Sequence, residues 1–360
     1  MNEGTLAAPW WKRGVIYQIY PRSFADSDGD GIGDLAGIAA HLDHVVSLGV
    51  DAIWLSPIFP SPMADFGYDV ADYTGVEPMF GDLAAFDRLL AAVHARGLKL
   101  LLDFVPNHSS TQHPWFVESR SFLTEQADLN WRNPAVTAAM TDVMRFWLDR
   151  GVDGFRIDVL WHIVKAEGLP DNPENPDWHE GMAEKLRVLQ DHSTDQPEAH
   201  AFTRHMRKLA DSYGETLLVG EIFLPRDRLM RWYGSAAEPG VHLPFNFELI
   251  ENPWDRDTLA RLIADYDAAI PKHGWPNWVI GSHDAPRIAA RIGERQARVA
   301  AMLLLTLRGT PTLYQGDEIS IGTVDIPPDR IRDPQDLRQP GMGLGRDRSR
   351  TPMAWDASPN

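Results

Sequence analysis

The chain has 360 residues, 44% hydrophobic and 24% charged, the composition of a globular protein long enough for one α/β barrel with added segments. Its 34 basic and 51 acidic residues give a formal charge of −17, which excludes a basic surface for nucleic acid or an anionic membrane and favours a neutral small ligand. There is no cysteine, so disulfides, thiolate catalysis and cysteine zinc sites are excluded.

Met1 to Pro9 has neither a basic start nor a long apolar stretch, so no signal peptide is expected. No run approaches the roughly 18 apolar residues of a membrane span, and a cytoplasmic location is expected. Strands are expected at Val15 to Tyr20, Ala52 to Ser56, Lys99 to Val105 and Gly154 to Val159. Four more follow at Thr216 to Ile222, Leu243 to Phe247, Trp278 to Gly281 and Thr312 to Tyr314. Helical periodicity fills the intervals at Asp34 to Leu48 and Asp82 to Arg96, and from the Asn133-Pro134 cap onward. It returns at Pro197 to Tyr213, Arg256 to Ile270 and Glu294 to Leu307. This alternation predicts a parallel (β/α)8 TIM barrel over residues 1–321, with a doubly wound sheet as the structural alternative. Gly168 to Trp178 is a proline-rich loop after strand four. Residues 322–360 read as an irregular segment with no eighth helix, as in a shortened version of a longer protein.

Four of the strands end on an acid. The runs are Asp103-Phe-Val-Pro-Asn-His108, Gly154-Phe-Arg-Ile-Asp158, Val219-Gly-Glu221 and Ile280-Gly-Ser-His-Asp284. Ionised carboxylates are rarely placed at the mouth of a core without a use, and the C-terminal mouth of a β/α barrel is where active sites sit. Arg156, two residues before Asp158, shares its strand face. The cation is expected to keep Asp158 ionised, and burial to keep Glu221 protonated. In Asp26-Ser-Asp-Gly-Asp-Gly-Ile-Gly-Asp34, oxygen ligands alternate with glycines, which suits Ca²⁺ or Mg²⁺ held by Asp26, Asp28, Asp30, the Ile32 carbonyl and Asp34. The alternative is a solvated acidic turn.

These motifs resemble the α-amylase family of glycoside hydrolases, family 13, and within it the α-glucosidase and oligo-1,6-glucosidase branch. The branch is carried by Tyr17-Gln-Ile-Tyr-Pro-Arg-Ser-Phe24, Trp54-Leu-Ser-Pro57, Phe66-Gly-Tyr-Asp69 and Arg350-Thr-Pro-Met-Ala-Trp355. The resemblance implies Asp158 as nucleophile, Glu221 as acid/base and Asp284 as transition-state stabiliser. It further implies that Asp65, Tyr68, His108, Arg156, His283, Arg287 and Arg346 contact the non-reducing glucose, and that the Asp26 to Asp34 loop holds a structural cation. The implied activity is retaining hydrolysis, or transfer, of terminal α-linked glucose, with a small α-glucoside as the only partner; monomer and weak homodimer both stay open. Three departures stand out. The loop after strand three, about 108–133, is too short for the family's domain B, the C-terminal domain is not seen, and Ser282 stands where the family usually has Asn. These make a weakly active or non-catalytic scaffold the alternative function, and they predict an incompletely walled pocket.

Overall fold

A computed structural model describes residues 8–115, 120–123, 126–180, 182, 187–339 and 345–356. Parts of three expectations lie outside the described residues: Met1 to Ala7, positions 116–119 and 124–125 of the loop after strand three, and 340–344 and 357–360 of the final segment.

Eight parallel strands form one sheet: β1 (Ile16–Ile19), β2 (Ala52–Leu55), β3 (Lys99–Phe104), β4 (Gly154–Ile157), β5 (Leu217–Gly220), β6 (Leu243–Pro244), β7 (Asn277–Val279) and β8 (Thr310–Tyr314). The order β7-β8-β1-β2-β3-β4-β5-β6 runs round a nearly closed barrel. The expected sixth strand is much shorter than its apolar run, since Pro244 has no N–H to continue a ladder.

Helices pack outside the strands at Leu83–Ala95, Pro134–Asp149, Pro197–Asp211, Arg256–Ala269 and Glu294–Thr306. Several start at side-chain caps that the sequence spells out. Asp82 accepts from Ala85 N–H, Asn133 from Ala135 N–H and Asp255 from Thr258 N–H, each worth about 1 kcal/mol. The expected helix from Asp34 to Leu48 is instead two short ones, Leu35–Ala40 and Leu42–Ser47. They are divided at His41, whose ring lies 2.9 Å from the Gly37 carbonyl. After β8 the described residues contain only the short helix Pro334–Arg338 and two single turns.

Strand alternation sorts the side chains into two cores. Ile53, Leu55, Leu100, Leu102 and Phe155 face the helices, while Ile16, Ala52, Trp54, Leu101, Leu217, Val219 and Val279 fill the barrel interior. The same period of two turns polar at the C-terminal end. Leu101 is followed by Asp103, Gly154 by Arg156 and Asp158, Leu217 and Val219 by Glu221, and Ile16 by Gln18. Register completes the layer, pairing Asp103 with Arg156 and Arg156 with Val219. Gly154 makes this possible: its φ is +155°, and a Cβ there would stand 2.1 Å from the Leu217 carbonyl oxygen.

Beyond β3 the chain forms a small antiparallel sheet from His108–Ser110, Gln126–Asp128 and Arg120–Leu123. It stands beside the mouth on the side of the acids.

Candidate active site

One guanidinium organises the mouth. Arg156 Nη1 donates to Asp103 Oδ1 and to Asp158 Oδ1, both at 2.7 Å, and Nη2 lies 2.8 Å from Glu221 Oε2. Its plane also faces Trp54, 5.1 Å from the ring centre. Three carboxylates around one buried cation carry excess negative charge, and burial cannot leave all three ionised. Burial raises Asp158 well above the ordinary carboxylate range, with Arg156 opposing. It likewise raises Glu221, and pushes Asp103 up to about 6. Arg156 favours the ionised form of Asp158 but divides its charge with Asp103 and Glu221. Asp158 and Glu221 share one cation, and the charge of Glu221 adds to the rise at Asp158.

Two backbone features fix this geometry. Val159, directly after Asp158, is β-branched yet adopts the left-handed conformation, φ +44°. That turns its N–H onto Glu221 Oε2 at 2.8 Å. On the opposite strand end, Ser282 Oγ accepts from the Asp284 N–H at 3.2 Å, so the serine turns the chain toward the third acid.

Asp284 has a different environment. Arg350 Nη2 donates to its Oδ1 at 2.7 Å, Arg346 Nη1 reaches the same oxygen at 3.3 Å, and His283 Nε2 lies 3.1 Å from Oδ2. Burial works against ionisation there, but His283, Arg350 and Arg346 outweigh it and hold the carboxyl below its ordinary range. Arg346 also ties Asp284 to Asp65 (2.6 Å) and to the fully buried Asp333 (2.8 Å). Tyr68 OH donates to Asp103 Oδ2 at 3.0 Å and lies 2.7 Å from His283 Nε2.

Of the implied sugar contacts, Asp65, Tyr68, Arg156, His283 and Arg346 thus meet around the acids. His108 is buried behind them, 3.0 Å from the Asn107 amide, and burial lowers its pKa to about 4. Arg287 does not join. It is 1% exposed, lies flat on the Tyr314 ring and donates to the Gln315 carbonyl, a brace below β8. Arg350 stands in its place. The sequence holds Arg350 within a branch motif, yet nothing in its spacing from Asp284 marks the contact.

Other members had no sequence signal. Gln126, from the small sheet, donates to Asp65 Oδ2 at 3.1 Å. Lys165 Nζ fills a buried slot between Asp128 Oδ1 (2.9 Å) and Asn107 Oδ1 (2.8 Å). A narrow cleft opens over Glu221 and Asp284, walled by Trp54, Phe223, Phe245 and Phe247. Phe223 and Phe247 stack at 4.0 Å, and Phe223 is 40% exposed. Asp158 and Glu221 are only 4% and 7% exposed, so the acids are more enclosed than the short loop led us to expect. Gly168 to Trp178 does not reach them; Gly168 and Leu169 line a neighbouring cleft with Lys165.

In the glycine-rich loop, Asp26, Asp28 and Asp34 bring carboxylate oxygens within 4.8 Å of one another, a spacing a hard cation can bridge. Asp30 falls outside that group. Its Oδ1 accepts from the Ile32 N–H. Asp34 also caps a helix through Gly37 N–H.

Comparison with known proteins places these features in a family. A model described as the alpha amylase catalytic domain matches residues 18–122 and 119–360. A probable alpha-glucosidase of Rhizobium meliloti (strain 1021) is 37% identical over 429 aligned positions, covering 100% of this chain and 77% of that protein. An oligo-1,6-glucosidase of Parageobacillus thermoglucosidasius is 33% identical, with 98% and 76% covered. Among solved structures, the alpha-glucosyl transfer enzyme XgtA superposes with a TM-score of 0.92 at 37% identity, over 98% of this chain and 76% of that one. The isomaltulose synthase of Klebsiella sp. LX3 does so at 0.87 and 29% identity.

Proposed function

The chain belongs to the α-amylase family, and on that premise we propose that it is a retaining α-glucosidase acting on the non-reducing end of short α-glucosides. The observation that carries the reading is the trio of Asp103, Asp158 and Glu221 on Arg156, with Asp284 held separately by Arg346 and Arg350. Rather than the roughly 6.5–9.5 Å separation that an inverting site needs for its water, Asp158 and Glu221, both bound to one guanidinium, fit the closer carboxyl pair of a retaining site. A direct attack by Asp158 fits that spacing.

Asp158, on Arg156, carries the negative charge and Glu221 the proton when the sugar enters. An Asp158 oxygen attacks C1 as the C1–O glycosidic bond breaks, and Glu221 gives its proton to the leaving oxygen. Glu221, now a carboxylate, takes a proton from water, whose oxygen attacks C1 and releases Asp158. Asp284, held ionised by its arginines, stabilises the positive charge that develops on the ring in both steps. The sugar's hydroxyls meet Asp65, Arg346 and His283. The stacked Phe223 and Phe247 give the leaving group an apolar platform. An acceptor sugar on that platform in place of water would give transfer, and likeness to a glucosyl transfer enzyme supports this second outcome. The buried acids and the fully assembled triad count against a non-catalytic scaffold.

The 429 aligned positions against 360 residues, and a family match that breaks at 119–122, support a loop after β3 shorter than in these relatives. Gln126, Arg346 and Arg350 take over part of that wall. We further propose Ca²⁺ or Mg²⁺ on Asp26, Asp28, Asp34 and the Ile32 carbonyl, a structural ion whose ligands tie the loop to the helix at Leu35.

The test of the activity is turnover of p-nitrophenyl α-glucoside and maltose, with the first-formed glucose anomer followed by proton NMR. The reading requires α-glucose first; β-glucose first, or no turnover, overturns it.

A further inference from the structure

Gln18 lies on β1, is fully buried and belongs to no sugar-contact set. Its side-chain nitrogen stands 2.7 Å from His283 Nδ1 and 3.2 Å from Ser56 Oγ. Its own carbonyl oxygen, Oε1, has no hydrogen-bond partner. An amide that served packing alone would satisfy both ends. This one spends its donor side on the imidazole and leaves its acceptor idle.

The other ring nitrogen explains why. His283 Nε2 faces Asp284 Oδ2 at 3.1 Å and Tyr68 OH at 2.7 Å. Tyr68 gives its own proton to Asp103. An ionised carboxylate can only accept, and the tyrosine oxygen has only lone pairs left, so Nε2 must carry the hydrogen. A neutral imidazole then has a bare Nδ1, and it needs a donor there. The ring plane is already fixed, because Tyr68 (5.4 Å, 3°) and Tyr20 (5.6 Å, 20°) both lie nearly parallel to it. What stacking cannot choose is which nitrogen holds the hydrogen.

We propose that Gln18 is a positioning residue that selects the Nε2–H tautomer of His283 and thereby orients Asp284 for the transition state. This deepens the glucosidase reading and rests on it for the catalytic consequence. The charged groups around the ring are Asp284, Arg350, Arg156 and Arg346. Burial among them holds the imidazole neutral, with its pKa lowered to about 3. A neutral ring is the state in which a tautomer has to be chosen.

Two variants separate this role from packing. Gln18→Leu keeps bulk and removes the donor. Gln18→Glu places a carboxylate that can only accept, which reverses hydrogen-bond polarity at Nδ1 until acid protonates it and restores a donor. The account expects kcat for p-nitrophenyl α-glucoside to fall about tenfold in Gln18→Leu, the loss of one hydrogen bond's ordering, with KM changed less than threefold. Gln18→Glu should show a similar loss at neutral pH and regain rate as pH falls, relative to Gln18→Leu. Identical pH profiles for the two variants would overturn the proposal.

A measurement on the unaltered protein stands independently of variant folding and of turnover. The ¹⁵N spectrum of the histidines, with His283 assigned by the signal lost in His283→Gln, should show Nε2 protonated and Nδ1 bare from pH 5 to 8. A protonated Nδ1 would overturn the proposal. If the protein turns over no α-glucoside, the functional reading fails, while this spectrum still decides the tautomer.

Discussion

Arg156→Lys is the perturbation that bears hardest on the site. The guanidinium makes three charge-assisted contacts of 2.7, 2.7 and 2.8 Å to Asp103, Asp158 and Glu221. An ammonium on a shorter stem is a point charge without a fork and can keep one of them. Losing two at roughly 1.5–3 kcal/mol each is a gross loss of about 3–6 kcal/mol. The carboxyls recover part of it by binding protons rather than staying charged. A net loss of about 2 kcal/mol lowers Tm by roughly 3 °C in a protein of this size. Proton uptake also costs the nucleophile its charge, so kcat at pH 7 should drop by about 10² or more, and the acid limb of the rate profile should move to higher pH. Calorimetric melts and the pH dependence of kcat/KM measure both effects on one sample. A Tm within 1 °C of the parent together with kcat within tenfold would refute the shared-cation account.

Other outcomes follow from the same geometry. Asp158→Asn should fold normally and lose turnover by several orders of magnitude, while Glu221→Gln should lose less with leaving groups that need no protonation; steady-state kinetics with p-nitrophenyl glucoside and maltose check both. Asp103 titrates near 6 folded and near 4 unfolded, so its contribution to stability is lost as pH rises between those values. Urea melts of the parent and Asp103→Asn should therefore diverge over that window, by on the order of 3 kcal/mol, with the variant favoured above pH 6. Adding Ca²⁺ or Mg²⁺ should raise Tm by mass action, and Asp28→Ala should abolish the increment without touching the Asp34 helix cap; an unchanged Tm across both titrations marks the loop as an acidic turn. Val159, stiff and left-handed directly after Asp158 with its N–H on Glu221, leads us to expect isomaltose to be cleaved at a rate comparable with maltose; maltose turnover without isomaltose cleavage would reverse that.

The barrel was legible because each strand is a dense apolar run and several helices carry their own cap, as at Asp82, Asn133 and Asp255. The strand-end acids were legible for the same reason: period-two alternation carries Leu101 into Asp103 and Val219 into Glu221. What the sequence hid depends on contacts between distant segments. Arg350 reaches Asp284 across 66 positions and Gln126 reaches Asp65 across 61, and no local pattern encodes either pairing. Arg287, which the resemblance implied as a sugar contact, is carried by the turn through Ala285 and Pro286 onto Tyr314 and the Gln315 carbonyl instead. The sharing of Arg156 was hidden for a related reason. Arg156 lies two positions from Asp158 on the strand, but register also delivers Asp103 and Glu221 to the same guanidinium.

The central claim is that Asp158 bonds covalently to the sugar. Incubation with 5-fluoro-α-glucosyl fluoride, followed by proteolysis and mass spectrometry, tests it directly. The account predicts one fluoroglucosyl adduct, on the peptide containing Asp158, absent from Asp158→Asn. An adduct on Glu221 or Asp284, or steady turnover with no adduct formed, would contradict it.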